Sequence, residues 1–139
     1  MQTPLDVLLA DYSLEVRGLF LAANALIHSL VPTAVEEFDL KAKLLGYTFK
    51  PGTYQGLVLA IMPAKQHVTI IFSHGVELAP MDAAGLLEGM GKRARHIKVK
   101  TPAGLADPNV HKLILAAADD MLLQDLVLKA RATSAPDII

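Results

Sequence analysis

Two neighbouring runs constrain the fold more than anything else in the chain: "YQGLVLAIM" (Tyr54 to Met62) and "HVTIIF" (His67 to Phe72), joined only by "PAKQ". Both are short and rich in β-branched and other apolar residues. A connection of that length brings two strands together antiparallel, since a parallel pair needs a crossover of a dozen residues or more. The run "LVLAIM" is apolar at both alternating sets of positions, which predicts a central strand with something covering each side of the sheet. Upstream, "VEEFDL" (Val35 to Leu40) and "LLGYTF" (Leu44 to Phe49) predict two more strands, and Pro51 and Gly52 in "KPGT" suit the middle of a type II turn. The four runs predict an antiparallel meander. "HIKVK" predicts a fifth strand after a long connection, "SHGVELAPMDAAGLLEGMGKRA", with one helical turn at "DAAGLL".

Helices flank this block. From Ser13, Val16, Leu19, Phe20, Ala23, Leu26, Ile27 and Leu30 recur at spacings of three and four, with Ser13 as N-cap and a stop before Pro32. A shorter helix precedes it, capped by Thr3 with Pro4 at its first position. Asp107 and Pro108 open the last helix, whose buried face carries Val110, Leu113, Ile114, Ala117, Met121 and Leu128. The expected architecture is therefore α+β: a five-stranded, mostly antiparallel sheet with N- and C-terminal helices packed on one face. One domain spans residues 1–132, and residues 133–139 form a flexible tail.

Composition removes several function classes. No cysteine occurs among the 139 residues, so disulfides, thiolate metal sites and cysteine nucleophiles are excluded. No apolar run reaches the roughly 18 residues of a membrane span, and no basic stretch precedes an apolar one at the start, which predicts a cytoplasmic protein without a membrane partner. The apolar content of 53% is high for a small domain. That points to surface buried against a second copy, a homodimer for which the extended last helix is the expected dock.

Charge is unevenly placed. Lys92, Arg93, Arg95, Lys98 and Lys100 put five of thirteen basic residues into one short block, and removing them from a net charge of −1 leaves the remainder at −6. In a strand, His96, Lys98 and Lys100 share one face while Ile97 and Val99 point into the core. Lys92 and Arg93 follow Gly89 and Gly91, where the backbone can approach a ligand closely. Together Lys92, Arg93, Arg95, His96, Lys98 and Lys100 form the candidate site for a small anionic ligand or an acidic protein partner, with Arg93 or Arg95 supplying a bidentate contact. "GLLEGMGKR" is not a P-loop, because its glycines are misspaced and Arg93 stands where a Ser or Thr must hold magnesium. Without interleaved aromatics in a slightly acidic chain, the block does not suit nucleic acid either.

The remaining candidates are weaker. His28, His67, His74, His96 and His111 show no paired metal-ligand spacing, and their ordinary role is at the surface or in hydrogen bonds. Tyr47, Tyr54 and His74 are pocket candidates which, with Arg95, would be needed by a small enzyme with a site beside the sheet. Glu36, Glu37 and Asp39 could hold a hard cation through carboxylate oxygens.

Three segments carry a family resemblance: "LLGYTF" with "YQGLVLAIMPAKQHVTIIFSHGVEL", then "GLLEGMGKRARHIKVKTPAGL", then "DPNVHKLILAA". Over residues 13–118 the chain resembles the YdhG-like family, also catalogued as domain of unknown function 1801. The resemblance implies an α+β domain with an antiparallel sheet. It also implies an iron role, since some members are described as frataxin-like intracellular iron chaperones. That role rests on an acidic ridge, whereas the first helices here offer only Asp6, Asp11 and Glu15. The helix extension at 119–132 is a second departure. The combined expectation is a non-catalytic binding or carrier module with no cofactor, with iron delivery or a small enzyme as the alternatives.

Overall fold

The computed structural model describes residues 2–134. Both early helices begin where their capping side chains predict. Thr3 Oγ1 accepts from the Asp6 amide at 3.1 Å while the Asp6 carboxylate accepts from the Thr3 amide at 3.0 Å, a reciprocal capping box for α1 (Pro4–Leu9). Ser13 Oγ accepts from the Val16 amide at 3.2 Å at the start of α2 (Leu14–Leu30). Arg17 ties the two together by donating to the carbonyls of Tyr12 and Ala10 at 2.9 and 2.8 Å. Val16, Leu19, Phe20, Ala23 and Ile27 make the buried stripe of α2.

The five strands β1 (Val35–Asp39), β2 (Leu44–Thr48), β3 (Leu57–Pro63), β4 (Val68–Phe72) and β5 (Arg95–Val99) lie in sequence order, every neighbour antiparallel. The β2–β3 connection contains the expected turn: Gly52 has φ +82° and the Thr53 amide donates to the Lys50 carbonyl at 3.2 Å. Register lines up an inward row that crosses the whole sheet, Phe38–Leu45–Ile61–Ile70–Ile97, and a parallel row Glu36–Tyr47–Leu59–Phe72–Arg95. Leu45, Tyr47, Leu59, Ile61, Ile70 and Phe72 are fully buried. Tyr47 is held there by a 2.5 Å hydrogen bond from its hydroxyl to Asn24 Oδ1 on α2. Burial, with Glu36 close by, pushes its phenol well above the ordinary tyrosine range, so it stays protonated.

After β5 comes a short helix the sequence did not suggest, α3 (Pro102–Leu105), and then α4 (Pro108–Ser134). Asp107 Oδ1 accepts from the Asn109 amide at 2.9 Å at the start of α4. Helices α2 and α4 pack against each other and against β3, and α3 contacts both. The expectation of a second covering layer is therefore corrected. Ala60 and Met62 of β3 face outward, and the small Ala60 is only 3% exposed among its strand neighbours.

The long connection also differs from its reading. Instead of a helical turn at "DAAGLL", a 3₁₀ segment runs over Gly75–Met81. Asp82 then caps the following bend by accepting from the amides of Leu86 and Leu87, both at 2.8 Å. Leu128 is half exposed rather than part of the buried stripe of α4, because the helix has run past the end of the sheet by that point. Helix α4 continues through Ser134, beyond the start expected for the tail; the rest of that tail lies outside the described residues.

The two sides of one strand provide a direct check. Ile70→Ala on the helix side should lower unfolding free energy by about 2–5 kcal/mol, whereas Thr69→Ala on the open side should cost no more than about 1 kcal/mol. Urea unfolding curves of the two variants measure both values.

Candidate functional site

A cleft of about 670 Å³ lies at the end of the sheet where β2 gives way to the Pro51–Gly52 turn. Phe49, Lys50 and Gly56 form one wall, His74, Val76 and Glu77 a second, Lys92 and Arg93 a third, and the distal half of α4 the fourth. Two glycines make it possible. A Cβ on Gly56 would lie 2.5 Å from Lys50 Cβ and from its backbone nitrogen, so only glycine lets the turn close on itself; the Phe49 amide then donates to the Gly56 carbonyl at 2.9 Å. A Cβ on Gly75 would sit 2.4 Å from Arg95 Cβ, so the 3₁₀ segment can lie against β5 only without a side chain there. That contact lets the Val76 amide donate to the Arg93 carbonyl at 2.9 Å, which fixes the basic turn beside the 3₁₀ segment.

The six residues of the basic block do not form one surface. Lys92 and Arg93 line the cleft. Arg95 is occupied with its own loop, its Nη1 donating to the carbonyls of Gly91 and Ala94 at 2.6 and 2.8 Å, which leaves Arg93 as the available fork. His96 and Lys98 fall on the open face of the sheet, where His96 also exchanges backbone hydrogen bonds with Glu88 at 2.8 and 2.9 Å. Lys100 lies at the far end of β5, beside Glu15 at the start of α2. Strand alternation predicts which face each side chain takes, but the turn before the strand and the residue after it follow tertiary paths that alternation does not describe.

The pocket candidates also separate. Tyr47 belongs to the core, under α2, and does not face the cleft. Tyr54 precedes β3 in a turn and donates to the Ser73 carbonyl at 3.1 Å, while its ring lies 5.9 Å from that of His74. His74 does line the cleft, and its Nε2 is buried without a hydrogen-bond partner among the described residues. Ser73 is structural: its hydroxyl donates to the carbonyls of Leu57 and, at 3.1 Å, Val58.

The acids of β1 are dispersed. Glu36 faces the helices and pairs with His28 Nε2 at 2.5 Å; Glu37, on the other face, accepts from the Gly52 amide at 2.7 Å; Asp39 accepts from the Ala42 amide at 2.9 Å. Among the described residues no group of three or more His, Asp or Glu side chains is placed to hold a metal ion. His111 is likewise engaged, with its Nε2 2.6 Å from the Leu105 carbonyl.

Helix α4 contributes residues that the sequence did not mark as a site. Asp125 binds Lys50 Nζ at 2.6 Å and Lys129 Nζ at 3.1 Å, and Gln124 donates to Asp120 at 2.7 Å. The spacing of Asp125 and Lys129 is visible as an i,i+4 pair, but the approach of Lys50 from the other end of the chain is not. Lys50 and Lys129 offset Asp125, whereas Asp120 accepts only a neutral hydrogen bond, so Lys92 and Arg93 share the cleft with the acids Asp120 and Glu77. No protein-family model, curated protein or solved structure matches this chain.

The bonds from Lys50 and Lys129 hold the Asp125 carboxyl below its ordinary value of 3.8. A lowered folded-state pKa stabilises the fold above the unfolded value, and this contribution disappears as pH falls through the folded one. The stability difference between the wild type and Asp125→Asn should therefore be present at about pH 6 and shrink at about pH 3. Urea midpoints at the two pH values test this.

Proposed function

We propose that this chain is a non-catalytic binding or carrier module of YdhG-like character whose cleft takes a small organic anion. The observation that carries the reading is the convergence of Lys92, Arg93 and His74 on one cleft with mixed polar and apolar walls. Phosphate or carboxylate would sit between Lys92 and the Arg93 guanidinium. Phe49, Val76, Met121 and Leu128 would cover an apolar body.

The volume supports a small molecule in preference to an extended acidic peptide, since cavities of roughly 300–1,000 Å³ are typical of ligand pockets. Glu77 on the same wall suits a ligand that carries a hydroxyl or amine beside its anionic group.

Thermal unfolding against a panel of hydroxy acids, amino acids and sugar phosphates tests the reading. A ligand present at a hundred times its Kd adds about 2.7 kcal/mol of stability, enough to raise Tm by roughly 5 °C or more. The rise should vanish in the Lys92→Ala/Arg93→Ala variant and persist in Lys98→Ala. A panel without effect, or a shift that survives the paired substitution, would refute the assignment.

A further inference from the structure

The cleft holds charges of both signs that do not meet. Lys50 and Lys129 are turned onto Asp125, their Nζ atoms 2.6 and 3.1 Å from its carboxylate oxygens. Four charged side chains of the lining remain, the bases Lys92 and Arg93 and the acids Glu77 and Asp120. Among the described residues none of these four enters an ion pair.

The fold keeps the basic pair and Asp120 on different walls. The bond from the Val76 amide to the Arg93 carbonyl holds the basic turn against the 3₁₀ segment, and the same segment packs against α4, which carries Asp120. Asp120 is half-buried in the lining while Asp119 is exposed, because successive side chains of a helix point about 100° apart. The Asp120 carboxylate accepts one hydrogen bond, from Gln124 at 2.7 Å, and an ionised carboxylate has room for more. Val76 and Met121 supply apolar surface on the 3₁₀ segment and on α4.

This balance narrows the ligand. A compact dianion gains from Lys92 and Arg93 but meets two carboxylates in the same cavity, and like charges brought together oppose binding. Glu77, next in the chain to Val76, offsets part of the pull of the basic pair on a plain anion. A molecule with one anionic and one cationic end has a counter-charge on each wall. In an α-amino acid both charges sit on one carbon and cannot serve two walls.

We infer that the ligand is an ω-amino acid, its carboxylate on Lys92 and Arg93, its ammonium on Asp120 and a short methylene stem over Val76 and Met121. This rests on the reading of the cleft as a site for a small organic anion and adds the requirement for an amine at the far end.

Calorimetric titration of the full chain with 4-aminobutyrate, 5-aminovalerate and 6-aminohexanoate tests it, each compared with the plain acid of the same length, butyrate, pentanoate or hexanoate. At least one ω-amino acid should bind roughly tenfold or more tighter than its plain acid, because the amine adds a charge-assisted hydrogen bond. It should also bind tighter than L-norvaline, the α isomer of 5-aminovalerate. Asp120→Asn, which can still accept from Gln124, should cut the preference for the amine to about twofold or less. Lys98→Ala, outside the cleft, should keep it. Equal binding of amino acids and plain acids would overturn this inference and leave the anion site standing, as would a preference that survives Asp120→Asn or norvaline binding as tightly as the ω-amino acids. Binding of neither set would overturn the anion site and this inference together.

Discussion

One-sided burial of the sheet is the constraint on which the rest of the molecule depends. The inward rows through Ile61 and Leu59 are sealed beneath α2 and α4, and β3 lies at the centre because its inward residues meet both helices. Fully burying a side chain of this kind is worth roughly 1.5–3 kcal/mol, and the inward rows supply many of them. The outward rows contribute far less within one chain. A polar bond set into this core, Tyr47 to Asn24, fixes how α2 lies on the sheet, since a buried hydroxyl must find a partner.

The cleft is a consequence of where that sealed core stops. Helix α4 continues past the end of the sheet, so its distal turns face the turn region around Lys50 and the 3₁₀ segment instead of strand residues. The Lys50–Asp125–Lys129 cluster bridges the gap and holds the helix across it. Exposed ion pairs of this kind add little stability. Their effect here is on charge: they offset Asp125 on the α4 wall, so the basic pair Lys92 and Arg93 outweighs less acid than the lining would otherwise present. The same turn that carries those two residues is tied down by Arg95, whose guanidinium bonds to backbone carbonyls and is withdrawn from any ligand.

The fold could be read closely from the chain because its signals are local. Ser13, Thr3 and Asp107 mark helix starts, Pro51 and Gly52 mark a turn with the positive φ that glycine supplies, and alternating apolar residues mark the strands. The candidate site could be read only in part. Lys92, Arg93 and His74 converge on the cleft, but Tyr47, Arg95, Lys98 and Lys100 lie elsewhere. A charged block looks continuous along a sequence, whereas a turn, a strand and a strand end point in three different directions.

By itself, the sequence determined the antiparallel order of the strands, the positions of the helices at either end and the local basic charge. Each of these follows from side-chain period, capping or turn chemistry acting over a few residues. The tertiary structure alone settled that Glu36, Glu37 and Asp39 do not converge and that Lys50 meets Asp125 across the cleft. Those outcomes depend on burying one continuous apolar surface at once, a requirement of the whole chain that no short segment carries.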